Sequence, residues 1–186
     1  MSVAGLLRLD RATVAISAFT RRASRPTLPS VSKKSAKIAA LIEDCRGQEL
    51  DAHYLGYFEC FNRGLFYEAH DVLEELWLAD RQGPDGDFFK GLIQFAGAFV
   101  HLQKHTEPRP RLRPSAALFK LARTNLSKYP AFHFHLDVSR VLAIIEEWLG
   151  RLEAGGFAVN PLTSHATPTV SPLRHDAGAS AQPPLG

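Results

Sequence analysis

The chain has 186 residues, of which 45% are hydrophobic and 22% charged, and its formal net charge is +3. That is one domain's worth of ordinary soluble composition, with enough apolar material for a single core. A mild basic excess permits contact with nucleic acid or an anionic surface without demanding it, and no apolar run reaches the roughly 18 residues of a membrane-spanning helix.

Residues 1–34 form a polar, basic leader, rich in Arg and Ser and holding one acid, Asp10. It reads as a disordered or partly helical extension on a cytoplasmic protein, with an organelle-targeting peptide as the alternative. Residues 35–157 read as a single all-α domain. Helical spacing places Ile38, Leu41 and Ile42 on one face of a first helix that ends near Gly47. A second helix carries Leu50, Tyr54, Tyr57, Phe58 and Phe61 and stops at Asn62-Arg63-Gly64. A third runs from about Leu65 to Asp80, with Ala69, Val72, Leu73 and Leu76 in its core stripe. The segment QGPDG is a turn. A long helix follows, FFKGLIQFAGAFVHLQKH, with Asp85 or Asp87 as its cap. Pro108, Pro110 and Pro114 forbid its continuation. Pro114 suits the first turn of a fifth helix that stops before Pro130. A last helix presents Val138, Leu142, Ile145, Trp148, Leu149 and Leu152 and ends at Gly155-Gly156.

These elements predict a compact bundle of about five to six helices with a central hairpin across QGPDG, disordered termini and no strand. Residues 158–186, rich in Pro, Ser, Ala and Gly, read as a disordered tail that adds little to stability. Cys45 and Cys60 read as buried, reduced thiols, which favours a reducing compartment.

The third helix holds the densest chemistry. His70, Glu74 and Trp77 share one side at positions i, i+4 and i+7, beside the apolar stripe. Glu68 points away from them and sits in the first turn, where a carboxylate favours the helix dipole. The fourth helix has its own line, Gly91, Gln94, Ala98 and His101, and the small residues Gly91, Gly97 and Ala98 suggest close backbone approach to a neighbour. An antiparallel pairing would bring Gln94 and His101 toward His70 and Glu74. Three readings stay open. The group is a hydrogen-bond network that fixes the packing. Alternatively His70, Glu74 and His101 hold a divalent metal. Or the same residues, as candidate catalytic groups, carry acid–base chemistry or bind a small polar ligand. The spacing is neither HExxH nor Glu-x-x-His, so it does not select a metal. Whether the protein is an enzyme is left undecided.

Weaker features complete the survey. His133 and His135 read as loop or cap residues. Arg109, Arg111 and Arg113, with Lys104 nearby, form a basic loop that can touch phosphate but is more simply solvated. There is no phosphate-binding Gly-rich loop and no nucleophile elbow.

FNRGLFYEAHDVLEELW (Phe61 to Trp77) followed by FFKGLIQFAGAFVHLQK resembles the bacterial and archaeal domain of unknown function 309 family, whose pattern is an EAHxxxExxW helix followed by a GLIQxxxxxxH helix. The likeness covers roughly residues 57–127. It implies a compact all-α fold and marks Glu68, His70, Glu74, Trp77, Gly91, Gln94 and His101 as pattern positions, those with polar or aromatic side chains being candidate ligand-binding residues. It implies no reaction. The loop HTEPRPRLRP is longer and more basic than the family's usual turn. The resulting expectation is a helical bundle with a His/Glu/Gln site between two central helices, binding a metal or small polar ligand; the rival is a non-catalytic module that meets nucleic acid or protein.

Overall fold

Asp51 shows how local chemistry sets the elements. Its carboxylate accepts the backbone N–H groups of His53 and Tyr54 and so starts a helix at Ala52, satisfying donors that a helix end leaves open. A computed structural model describes residues 33–106 and 109–173. The leader up to residue 32 and the tail from 174 lie outside the described residues. Within them run α1 (Lys33–Leu41), a 3-10 turn (Glu43–Cys45), α2 (Ala52–Asn62), α3 (Phe66–Ala79), α4 (Gly86–Gln103), α5 (Leu112–Leu126), β1 (Phe132–His133), β2 (Leu136–Asp137), α6 (Val138–Ala154) and a second 3-10 turn (Pro161–Thr163). None of the described helices is long and apolar enough to cross a membrane.

From α2 onward each helix packs against the next, and α4 lies most extensively along α5. The α2–α3 corner turns at Gly64, whose φ of 73° suits glycine. The all-α expectation holds, and α3 and α4 are packed neighbours. Gly91 faces α5: a Cβ there would meet Leu126 Cγ at 2.8 Å. Its small size therefore serves the α4–α5 contact. Cys45 and Cys60 are buried thiols, and burial pushes the Cys60 thiol up to about 11.

The core is an aromatic chain. Phe61 stacks on Phe95 at 5.0 Å, Phe66 meets Phe99 at 4.9 Å, and Phe99 meets Phe119 at 5.3 Å and Trp148 at 4.8 Å. These rings come from α2 through α6 and are essentially inaccessible.

Two expectations change. The first is the absence of strands. β1 and β2 form a two-stranded antiparallel hairpin, Phe132 opposite Asp137 and His133 opposite Leu136. Its two-residue tip, Phe134 and His135, has φ of 48° and 60°. That is the twist such a tight turn requires, achieved here without glycine. Tyr54 Oη holds the tip by donating to the Phe134 carbonyl at 2.8 Å. Propensity does not announce so short a hairpin, because tertiary contacts support it.

The second is the boundary at residue 157. Residues 158–173 pack against the helices. Asn160 Nδ2 donates to Leu102 O at 2.8 Å. The Asn62 side chain mimics a strand partner: its Nδ2 donates to Val170 O, and its Oδ1 accepts from Val170 N, both at 2.8 Å. Val170 is 3% exposed. Low apolar content underrated this segment because one valine, prolines and backbone hydrogen bonds suffice to lay it down.

Asn62→Ala removes both hydrogen bonds and is expected to cost about 1–3 kcal/mol. Truncation after residue 157 is expected to cost at least as much. Denaturant unfolding of the two variants against the full chain checks this; unchanged midpoints would show that the strap contributes nothing.

Candidate functional site

The polar positions of α3 divide into two groups. Glu68, Asp71 and Glu74 recur at helical spacing and face α1. Lys34 Nζ lies 2.8 Å from Glu74 Oε2 and 3.2 Å from Asp71 Oδ1, and Lys37 Nζ lies 2.8 Å from Glu68 Oε1. The Lys37 ammonium holds the Glu68 carboxyl below its ordinary range. The Glu74 and Asp71 carboxylates raise Lys34, the Glu74 hydrogen bond foremost. Two lysines one helical turn apart thus clasp the acidic edge of α3.

The second group borders a pocket of about 200 Å³ among α3, α4 and α5. Tyr67 and His70 come from α3; Gln94, Gly97 and His101 from α4; Leu118 from α5, with Ile93 and Val100 adding apolar wall. Gly97 keeps it open. A Cβ there would lie 3.3 Å from Leu118 Cδ1 and 4.0 Å from His70 Cδ2. The Tyr67 and His70 rings lie nearly parallel, 6.5 Å apart at 13°. Lys104 Nζ sits 4.6 Å over Tyr67, a cation–π contact.

The pocket's polar groups are unequally satisfied. Gln94 Oε1 accepts from Asn125 Nδ2 at 2.8 Å, which bridges α4 to α5. His70 Nδ1 meets Asp71 Oδ1 at 3.4 Å. His101 Nδ1 is buried and has no hydrogen-bond partner among the described residues. Burial lowers the His101 pKa, and the positive charges of Arg111 and Lys104 lower it further. His101 is therefore a neutral imidazole near pH 7.

Of the anticipated residues, the structure brings His70, Gln94 and His101 to one pocket. It does not bring Glu68, Glu74 or Trp77 there. Trp77 packs partly buried against the core, its Nε1 buried and without a partner among the described residues. Metal-ligand geometry falls elsewhere than expected: donor atoms of His70, Asp71 and Glu74 lie within 4.8 Å of one another, and His101 is outside that group. Asp71 was missed, although its spacing of three from Glu74 was a usable signal. Asn125 was missed because its role depends on how α5 lies on α4. Of the basic residues read as a loop, Arg113 lies in the first turn of α5 and sits 4.8 Å over the Phe157 ring, so part of that charge is engaged within the fold.

His101 has a testable pH signature. Its folded pKa lies below the ordinary value of 6.5, so the unfolded chain binds the proton first as pH falls. The contribution to stability is full above about 6.5 and is lost as pH drops through the lowered folded value. Unfolding free energies at about pH 7.5 and about pH 5.5 are expected to differ more for the wild type than for His101→Gln. Equal differences would remove His101 as a buried neutral imidazole.

Residues 54–108, from α2 to the loop after α4, match the family model described as "Domain of unknown function (DUF309)". A protein of Aquifex aeolicus (strain VF5), described as "Uncharacterized protein", is 30% identical over 95 residues. The match covers 51% of this chain, and the chain spans only 27% of that relative's length. No solved structure matches. The likeness to the DUF309 family therefore rests on residues 54–108.

Proposed function

We propose that the pocket among α3, α4 and α5 binds a compact small molecule, with His70, Gln94 and His101 as its polar handles. The observation that carries this reading is the pocket itself, a largely apolar recess whose lining includes the polar side chains of His70, Gln94 and His101. The neutral imidazole and the apolar wall favour a molecule with an apolar body and a hydrogen-bonding end. At about 200 Å³ the pocket lies below the usual range for drug-sized ligands, so the ligand is small.

The network reading has less support. It requires His70, Glu74 and Gln94 to share hydrogen bonds, whereas Glu74 is engaged by Lys34 and Gln94 by Asn125. A metal reading is favoured by the close donor atoms of His70, Asp71 and Glu74. It is opposed by the Lys34 ammonium, which already contacts both carboxylates. A dication would have to displace it.

Titration with phenol and isobutyramide, followed by the imidazole ring resonances, tests the ligand reading. The signals of His70 and His101 are expected to move while those of His53 and His165 stay. Gly97→Val is expected to abolish the response by filling the pocket. Chelator treatment is expected to leave the melting temperature unchanged. Shifts that survive Gly97→Val would overturn the pocket reading, and a melting temperature that falls on chelation would put the metal reading first.

A further inference from the structure

A second cavity, of about 370 Å³, opens between the start of α2, the α3–α4 turn and the β-hairpin tip. We propose that it binds an organic ammonium ion. Its wall is aromatic. Tyr54 from α2, Phe89 from α4 and Phe134 from the hairpin lie in mutual contact, with ring centroids 5.3 Å apart for Phe89–Phe134, 5.9 Å for Tyr54–Phe134 and 6.1 Å for Tyr54–Phe89. Phe134 keeps 39% of its surface exposed, although its carbonyl is tied to Tyr54 Oη. An exposed aromatic ring offers a negative π face, which attracts a cation. Leu50 and Leu76 add aliphatic surface for a carbon chain.

The charge around this wall carries the argument further. Glu49, Asp51, Asp80 and Asp85 border the cavity. Several carboxylates elsewhere meet lysine or arginine: Glu68, Asp71 and Glu74 meet lysines of α1, Asp87 meets Lys128, and Glu146 meets Arg123, while Glu75 meets His53. Among the described residues, none of the four at the cavity pairs with a lysine or arginine. The ion pairs of Asp51 and Asp85 are with His53 and His133, and Asp51 also caps α2 through the backbone N–H groups of His53 and Tyr54. Glu49 and Asp80 form no ion pair there. Asp80 is also the C-cap of α3, whose last turn holds no basic residue. A carboxylate at that negative end of a helix is unfavourable for stability. In a chain of net charge +3, negative potential is therefore concentrated beside an exposed π surface without an internal counter-charge. A cationic head with an apolar stem satisfies both halves: the head meets the carboxylates and a ring face, and the stem covers Leu50, Leu76 and Phe89.

Titration of the full chain with n-butylammonium, observed on the methyl resonances of Leu50 and Leu76, tests this. N-acetyl-lysine methylamide serves as the peptide-borne source of the same head, and n-butanol as the neutral isostere. Saturable shifts with butylammonium and only weak shifts with butanol are expected. If the lysine derivative binds more tightly than the free amine, the ammonium comes from a protein side chain; the reverse order assigns a free amine. Either order supports the proposal. Glu49→Gln combined with Asp80→Asn changes two exposed side chains and is expected to weaken butylammonium by about tenfold. Phe89→Leu keeps an apolar wall and is expected to weaken it about threefold through loss of the π face. An unchanged melting temperature of the double variant shows that its fold is intact. Absence of saturable butylammonium binding, equal binding of butanol, or wild-type affinity in the double variant would each overturn the proposal.

Discussion

Phe99 is the contact on which the rest of the fold depends. Its ring touches Phe61 of α2, Phe66 of α3, Phe95 of its own helix, Phe119 of α5 and Trp148 of α6. Five helices therefore meet at one fully buried side chain. Edge-to-face and tilted rings have a preferred geometry that aliphatic contacts lack, so this cluster fixes orientation as well as burying area. It also bears on the pocket. The helix that presents Phe99 to the core presents Gln94, Gly97 and His101 to the pocket. The rotation of α4 that seats Phe99 is the rotation that aims those residues.

Most of the fold was legible in the sequence because its signals are local. Apolar residues three and four apart define each helix, and Gly64, the QGPDG turn and Pro130 punctuate them. The hairpin and the strap of residues 158–173 were not legible for the same reason in reverse. Each is held by partners far away in the chain, Tyr54 for Phe134 and Asn62 for Val170. Local composition carries no trace of such partners.

The candidate site was legible in half. Helical arithmetic placed His70 beside the core stripe and aligned Gln94 with His101, and the packing of α3 on α4 brings these three together. The same arithmetic grouped Glu74 with His70. It could not see α1, whose Lys34 draws Glu74 and Asp71 to another partner. A carboxylate near a histidine in sequence is a site candidate only until a tertiary cation claims it. Here the first helix claims Glu68, Asp71 and Glu74. The polar pattern of α3 thus encodes two things at once, a docking edge for α1 and one wall of a pocket.

The two cavities differ in polarity, and α4 relates that difference to its own electrostatics. Asp85 and Asp87 stand at its N-terminal end, and His101 lies in its last turn with Lys104 as the C-cap. Acids at the first turn and a cation at the end complement the helix dipole. Phe89 and His101 are twelve positions apart, about 18 Å along the axis. The acidic cavity therefore gathers near the start of α4, and the pocket with Lys104 and Arg111 nearby gathers near its end. At the start, however, the helix's own positive end offsets Asp85 and works against a bound cation. The negative potential in that cavity must then come from groups outside α4. Glu49 precedes α2, and Asp80 closes α3, where the helix end is itself negative. Those two carboxylates, rather than Asp85 and Asp87 at the α4 cap, are the groups from which the proposed attraction for a positive charge arises.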